Sequence, residues 1–303
     1  MSTLAFHTLD VFTEQAYTGN PLAVVLEADA LSKAQMQRIA REFALSETVF
    51  VCAPRTPGAI ATARIFTPER ELPFAGHPTV GTACLLAELG LAPAGDDIRF
   101  VLDEGVGPVT VEVRREPGRA YFAQLTTAVP PEVRPWDGAV EELAAVLGLS
   151  ASDLASAGEV PRQASCGNPF VLVPVRQPEL LPAIAFDAAR AKALLADAWG
   201  HALYVYARGY EGELRARMFA TDLGIHEDPA TGSAAVALAG ALALEAPEAD
   251  ADWQWPIHQG VEMGRPSLLH AEASKRAGRV IAVRVGGHAV RVTEGRIGIG
   301  GLP

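Results

Sequence analysis

Cysteine, basic residues and long apolar runs are all scarce in this chain of 303 residues. The three cysteines, Cys52, Cys84 and Cys166, are odd in number and show no C-x-x-C spacing. A framework of disulfides is therefore not predicted, and we expect the protein to work in a reducing cytoplasm.

Cationic residues are outnumbered: 25 Lys and Arg stand against 36 Asp and Glu, so the formal net charge is -11. Phosphate binding needs clustered Lys and Arg, and no basic stripe is present, so we exclude nucleic acid as a partner. The longest apolar candidate, residues 229–244, is rich in Ala and Gly and ends at Glu245. It is too short to span a bilayer, and the N-terminus lacks the features of a signal peptide, so no membrane partner is expected.

The length predicts two domains, at roughly 150 residues per domain. The character of the sequence changes near residue 128, where "TAVPPEVRPWDGA" is rich in proline. We predict an N-terminal domain over residues 1–127 and a C-terminal domain over 128–289. A last strand at about 290–303 is a candidate to return to the first domain.

The second half repeats the order of features in the first half. "TGNPLAVVLE" is echoed by "CGNPFVLVPV", and "RIFTPERELPFAGHPTVGTA" is echoed by "RMFATDLGIHEDPATGSAA". Each copy reads Gly-Asn-Pro, strand, helix, strand, Arg-x-Phe and a helix begun by proline. Four matched features in one order indicate an internal duplication, so the two halves are predicted to share a fold.

Each half contains one helix that is apolar on every face. We predict that His77 and Asp228 cap these helices, with Pro78 and Pro229 in the first helical position and Gly90 ending the first helix. A helix that is apolar all round is buried. Because the rest of each half reads as strands, we expect a curved sheet wrapped round its helix, an α+β architecture.

A buried helix with open N–H groups at its start attracts anions, since those groups and the helix dipole both favour negative charge. Two such helix starts in a pseudo-symmetric pair are expected to face one cleft and to bind a small carboxylate-bearing substrate. The alternative is that His77 and Asp228 only cap their helices.

Five segments stand out along nearly the whole chain: "DVFTEQAYTGNPLAVV", "ALSETVFV", "FAGHPTVGTA", "HEDPATGSAA" and "QGVEMGRPS". In this order they resemble the phenazine-biosynthesis (PhzF-like) family of isomerases. The resemblance implies the diaminopimelate epimerase fold, with two similar domains, an active site between them, no organic cofactor, no metal and a homodimer.

The resemblance also implies site residues. Glu47 matches the family's proton-transferring carboxylate, and His77 and Asp228 match other catalytic positions. The apolar residues after Glu47 in "ETVFV" would partly desolvate its carboxylate, which raises its pKa and suits it to carry a proton near neutrality. The positions expected to bind substrate are Gly76, Thr231, Gly232 and Ser233.

Racemases and epimerases of this fold are similar to one another in having a cysteine at the start of each central helix. In this sequence neither central helix begins with a cysteine. The sequence offers one convincing catalytic carboxylate, Glu47. This favours an isomerase that moves a proton between carbons of a small carboxylate-bearing substrate, with Glu47 as general base and acid. A racemase or epimerase of an amino or hydroxy acid stays open, as does a non-catalytic protein that binds small anions.

Several other signals are weaker. His226, Glu227 and Asp228 are adjacent, but consecutive residues rarely converge on one metal ion, and H-E-x-x-H and G-x-S-x-G are both absent. Arg265 is interpreted as a packing residue, with a domain bridge or an anion contact as alternatives. Phe170 departs from the family pattern. We therefore do not infer from the motifs that this protein acts on the family's phenazine precursor.

Overall fold

The computed structural model of the protein describes residues 3–154, 158–220 and 226–299. Contacts concentrate within two units, Met1–Thr126 with Gly286–Pro303, and Thr127–Val285. Within the described residues no helix is long and apolar enough to cross a membrane. Residues 221–225 of the repeated segment and 300–303 of the predicted last strand lie outside the described part.

The first unit consists mainly of strands, with two helices inserted between them. Its strands are β1 (Thr3–Val11), β2 (Asn20–Val25), β3 (Glu47–Cys52), β4 (Ala59–Phe66), β5 (Glu71–Leu72), β6 (Asp97–Glu104), β7 (Gly107–Arg114) and β8 (Tyr121–Thr126). Helix α1 (Lys33–Phe43) joins β2 to β3, and α2 (Gly76–Glu88) lies between β5 and β6. The main strands pair in the order β1-β2-β3-β4-β6-β7-β8, with β5 beside β4.

The second unit repeats this arrangement. Its strands are β9 (Glu132–Pro135), β10 (Arg162–Ser165), β11 (Pro169–Pro174), β12 (Leu203–Arg208), β13 (Leu214–Phe219), β14 (Ala251–Gln259) and β15 (Ser267–Arg276), and its helices are α3 (Val140–Leu147), α4 (Ala188–Leu194) and α5 (Gly232–Glu245). The last strand, β16 (Arg279–Gly298), begins in this unit, and its second part pairs antiparallel with β1.

The strand pairings of the two units confirm the internal duplication. In the first unit the pairs β1–β2, β2–β3, β3–β4, β4–β6 and β6–β7 are antiparallel, parallel, antiparallel, parallel and antiparallel. The pairs β10–β11, β11–β12, β12–β13, β13–β14 and β14–β15 follow the same series. Each parallel pair needs a crossover, and α1, α2, α4 and α5 supply those crossovers at matching places.

The two long central helices are buried on all sides, as their composition predicts. Every residue from Gly76 to Leu86 of α2 is buried, and so is almost every residue of α5 up to Ala243. Helix α2 contacts strands of the first unit on several sides, and α5 contacts β10, β11, β14 and β15 of the second. Each sheet therefore wraps round its own helix, which fills the interior.

The predicted starts of these helices need correction. Helix α2 begins at Gly76 after the cap position Ala75, so His77 lies second in the helix and Pro78 third. Helix α5 begins at Gly232 after Thr231, so Asp228 and Pro229 precede it rather than cap and open it. The stop at Gly90 is confirmed: it follows the last residues of α2 with a φ of 69°, the left-handed conformation typical of a helix end.

A buried lysine closes the other end of α5. Lys275 is 6% exposed, and its Nζ donates to the carbonyl oxygens of Ala243, Leu244 and Ala246 at 3.0, 3.3 and 2.7 Å. These carbonyls lack partners within the helix, and a cation at this end also opposes the helix dipole. We therefore expect Lys275→Met to lower the free energy of unfolding of the second unit by about 3 kcal/mol.

Urea unfolding followed by tryptophan fluorescence measures this effect, because all four tryptophans lie between residues 127 and 285. Lys192→Met is the matched control, since Lys192 is an exposed lysine in the last turn of α4. Its expected effect is within about 0.5 kcal/mol. Equal effects of the two substitutions would show that the three bonds of Lys275 contribute no net stability.

Candidate active site

Glu47 is held at the junction between α1 and β3. Helix α1 ends at Ala44, whose left-handed φ of 52° turns the chain back toward the sheet. Glu47 is the first residue of β3 and pairs with Leu22 of the parallel strand β2. Beside it, Ser46 Oγ donates to Oδ1 of the buried Asn20 at 3.2 Å, which anchors the junction to the start of β2.

Glu47 and His77 lie together in the first unit. His77 Nδ1 is 3.4 Å from Glu47 Oε2, an ion-pair distance, and the side chains are only 5% and 13% exposed. Burial raises the pKa of Glu47 to about 7. The carboxyl of Glu47 can therefore give up and take back a proton near neutral pH.

The starts of α2 and α5 differ from those of two other helices. In α1, Ser32 accepts from the backbone N–H of Gln35, and in α4, Asp187 accepts from that of Arg190. The cap residues of the central helices, Ala75 and Thr231, make no such side-chain bond, and neither first turn carries an acidic residue. The cap residues therefore leave the first-turn N–H groups unbonded by their side chains, next to Gly76 in α2 and to Gly232 and Ser233 in α5, and a helix start of this kind favours an anion.

The second unit brings Asp228 and Thr231 together ahead of α5. The backbone N–H of Asp228 donates to the Met218 carbonyl oxygen at 3.1 Å, which ties this segment to β13. Thr231 Oγ1 donates to Asp228 Oδ2 at 2.5 Å, and both residues are buried. Ser233, the second residue of α5, holds the helical position that His77 holds in α2.

Sequence reasoning missed two side chains that hold this segment. Gln259, at the end of β14, is fully buried and bonds both Asp228 and Thr231 through its amide. The phenolic O–H of Tyr204, also fully buried, donates to Gln259 Oε1 at 3.2 Å. Gln259 opens the "QGVEMGRPS" segment, so the resemblance contained a signal for it, whereas Tyr204 reads only as a residue of a buried strand.

His226, Glu227 and Asp228, the three adjacent residues considered as a metal site, contact different partners. Glu227 pairs with Arg217 through both oxygens at 2.8 Å, and His226 packs edge-on against the ring of Phe186. Among residues 3–154, 158–220 and 226–299, no three His, Cys, Asp or Glu side chains are grouped to hold a metal ion.

The cysteines lie away from the starts of the central helices. Cys84 is in the middle of α2, and its thiol donates to the Tyr121 carbonyl oxygen. Cys166 donates to the carbonyl oxygen of Val236, and burial raises its pKa to about 12. Burial also raises the pKa of Cys84 far above its usual range, so neither thiol is prepared for proton transfer near neutrality.

These features define an enzyme with a repeated diaminopimelate epimerase-like α+β fold. It carries a buried Glu47–His77 pair at the start of one central helix and a buried carboxylate, Asp228, before the other. Residues 9–295 match the model of the family described as phenazine biosynthesis-like protein (PhzC-PhzF).

Similar proteins agree with this match. An uncharacterized isomerase of Mesorhizobium japonicum is 42% identical over 98% of this chain and 99% of its own. Trans-2,3-dihydro-3-hydroxyanthranilate isomerase of Pseudomonas chlororaphis is 38% identical over 95% and 97%. The crystal structure of the Bacillus anthracis phenazine biosynthesis protein of the PhzF family superposes with a TM-score of 0.88 at 27% identity, covering 99% of this chain and 100% of that one. The chain belongs to the PhzC-PhzF family and is an isomerase.

Proposed function

We propose that this isomerase moves a proton between two carbons of a small carboxylate-bearing substrate, with Glu47 as both general base and general acid. The observation that carries the proposal is the buried pair of Glu47 and His77, with Nδ1 and Oε2 3.4 Å apart and a Glu47 pKa of about 7. A carboxyl with that pKa is present in both protonation states near neutral pH, as a reversible proton carrier requires.

The reaction is balanced without any electron carrier. The Glu47 carboxylate removes a proton from an acidified carbon, and the electron pair of the broken C–H bond moves through the conjugated system of the substrate. The double bond shifts, and the electron pair forms a new C–H bond at a second carbon, which takes the same proton from the Glu47 carboxyl. Glu47 is then a carboxylate again. Since nothing is oxidised or reduced overall, we propose that no redox cofactor takes part.

The other predicted residues are assigned to binding. The first-turn N–H groups of α2 near Gly76, and those of α5 near Gly232 and Ser233, suit a carboxylate and the charge that develops on it. Asp228, supported by Thr231, suits a substrate amine or hydroxyl. The Pseudomonas chlororaphis relative is named for a cyclic amino acid that also carries a hydroxyl, so we propose a conjugated acid of this class.

Turnover in D₂O tests the proposal and separates it from the alternatives. The substrate panel contains trans-2,3-dihydro-3-hydroxyanthranilate, proline, hydroxyproline and simple amino and hydroxy acids, with products followed by NMR and mass spectrometry. We expect a shifted double bond in a dihydro-hydroxyanthranilate-type acid. Inversion of a stereocentre with deuterium at the same carbon would instead establish a racemase or epimerase, and binding with neither product formation nor deuterium uptake would establish a binding protein.

The pH profile of kcat/KM gives a further prediction. The pKa of Glu47 is raised above that of a free carboxyl, so the basic form predominates only above about pH 7. We expect kcat/KM to fall about tenfold per pH unit below that value, because the first step needs the carboxylate. Initial rates between about pH 5 and pH 9 measure the profile. A flat profile between about pH 5 and pH 7 would rule out Glu47 as the base.

A further inference from the structure

We infer that Gln259 is a positioning residue, which acts through the Thr231 hydroxyl to keep Asp228 an acceptor of hydrogen bonds from the substrate. The inference rests on the proposed function and goes beyond it by assigning a direction to the hydrogen bonds that link Tyr204, Gln259, Thr231 and Asp228. All four residues of this network, Tyr204, Asp228, Thr231 and Gln259, are buried and lie in the second unit.

The orientation of the Gln259 amide follows from its neighbours. Its Nε2 lies 2.8 Å from the Asp228 carbonyl oxygen, which can only accept, and its Oε1 lies 3.2 Å from the Thr231 backbone N–H, which can only donate. In the reverse orientation the amide oxygen would face the Asp228 carbonyl oxygen, and the amide NH₂ would face the Thr231 backbone N–H, so neither hydrogen bond could form. The remaining N–H of Nε2 lies 3.0 Å from Thr231 Oγ1, and the remaining lone pair of Oε1 accepts from Tyr204.

The direction of the next bond follows from the first. Because Gln259 Nε2 is only a donor, the oxygen of Thr231 must accept from it. The single proton of the Thr231 hydroxyl is then directed to Asp228 Oδ2, 2.5 Å away. A bond donated to a carboxylate oxygen stabilises the ionised form. The chain from amide to hydroxyl to carboxylate therefore keeps Asp228 charged and fixed in orientation.

Among the described residues, ionisable side chains beside Asp228 include Tyr204, His226 and Glu227. Tyr204 of β12 faces it with its proton committed to Gln259, and burial raises the pKa of that phenol far above its usual range. The neighbouring Glu227 is bound at both oxygens by Arg217 of β13. Between about pH 5.5 and pH 8 the Tyr204 phenol keeps its proton. A change in substrate binding that depends on both Thr231 and Asp228 is therefore not caused by Tyr204.

The experiment compares two stable ligands, anthranilate and benzoate, which share a carboxylate and differ by one amine. Dissociation constants are measured by calorimetry at about pH 5.5, 7 and 8. The ratio of the two constants isolates the amine contact, because Glu47 and the helix starts affect both ligands alike. We expect wild type to favour anthranilate by about tenfold, the size of one hydrogen bond to a charged group.

Four variants of the second unit then test the network. Thr231→Val removes the hydroxyl at nearly constant volume, and Gln259→Glu keeps the acceptor for Tyr204 while removing the amide donors. Both should reduce the preference for anthranilate to about twofold or less, most strongly at the lowest pH. Thr231→Ser restores a hydroxyl and should restore the preference. Gln254→Glu, at an exposed glutamine of the same strand, should leave it unchanged.

The outcomes separate the inference from the proposed function. If wild type and Asp228→Ala bind the two ligands with the same ratio, the amine-binding role of Asp228 in the proposed function fails. If wild type prefers anthranilate and Thr231→Val keeps that preference at every pH, the positioning inference fails. A lower melting temperature in Thr231→Val with an unchanged ratio also overturns it, because that is the result of a purely structural role.

Discussion

Glu47→Gln is expected to reduce kcat about 10³-fold and to reduce by the same factor any deuterium uptake from D₂O that accompanies turnover. The amide has nearly the shape of the carboxyl but cannot take up a proton from carbon. Substrate binding should change little, because the carboxylate of the substrate is assigned to the helix starts rather than to Glu47. Single-turnover and steady-state rates measure the loss, and circular dichroism with thermal unfolding checks that the variant is folded.

The matched control for this prediction is Glu104→Gln in the same unit. Glu104 is 7% exposed, and burial raises its pKa to about 8, partly offset by a hydrogen bond of 2.6 Å from Thr79 Oγ1. It is thus a second buried carboxyl with a raised pKa, but it is bonded to Thr79 rather than placed beside His77. We expect Glu104→Gln to keep kcat within about twofold. If Glu104→Gln lost activity and Glu47→Gln kept it, the general base would have to be reassigned.

Local sequence indicated that Glu47 would be partly desolvated, and the family resemblance was needed to select it as the proton carrier. Val49 and Phe50 are completely buried in β3, and a carboxylate at the start of such a strand has little access to water. The burial of α2 and α5 was predictable for a similar reason, because neither helix presents a charged face. The parallel pairs were not readable, because they depend on which strands the crossover helices bring together.

The start of α5 could not be predicted because its partner is distant in the sequence. Asp followed by Pro normally opens a helix, and that local preference favoured a start at Pro229. Gln259, 28 residues beyond Thr231, accepts from the Thr231 backbone N–H and donates to the Asp228 carbonyl, so the turn before the helix is held from β14. Glu104 was missed likewise: followed by Gly105, it reads as an exposed strand end until Thr79 covers it.

Asp228→Asn is expected to lower kcat/KM about 10²-fold, mainly through a higher KM for substrates that carry an amine or hydroxyl. The substitution is nearly isosteric, and the asparagine can still accept from Thr231. Because Gln259 donates to Thr231, the hydroxyl proton must point at residue 228, and the amide oxygen will turn to receive it. The NH₂ group then occupies the place of the second carboxylate oxygen and opposes the donors of the substrate.

Glu227→Gln is the control for Asp228→Asn. It separates the specific effect of losing the Asp228 carboxylate from the general effect of losing a carboxylate in this segment. Glu227 is the adjacent residue, but both its oxygens bind Arg217, whose Nη1 also donates to the Leu181 carbonyl oxygen. Its neutralisation weakens a largely buried ion pair, so it should lower the free energy of unfolding by about 1–3 kcal/mol while kcat/KM stays within about twofold. If Glu227→Gln lowered kcat/KM as much as Asp228→Asn, disorder of the segment before α5 would explain both losses. Asp228 would then have no direct role in binding the substrate.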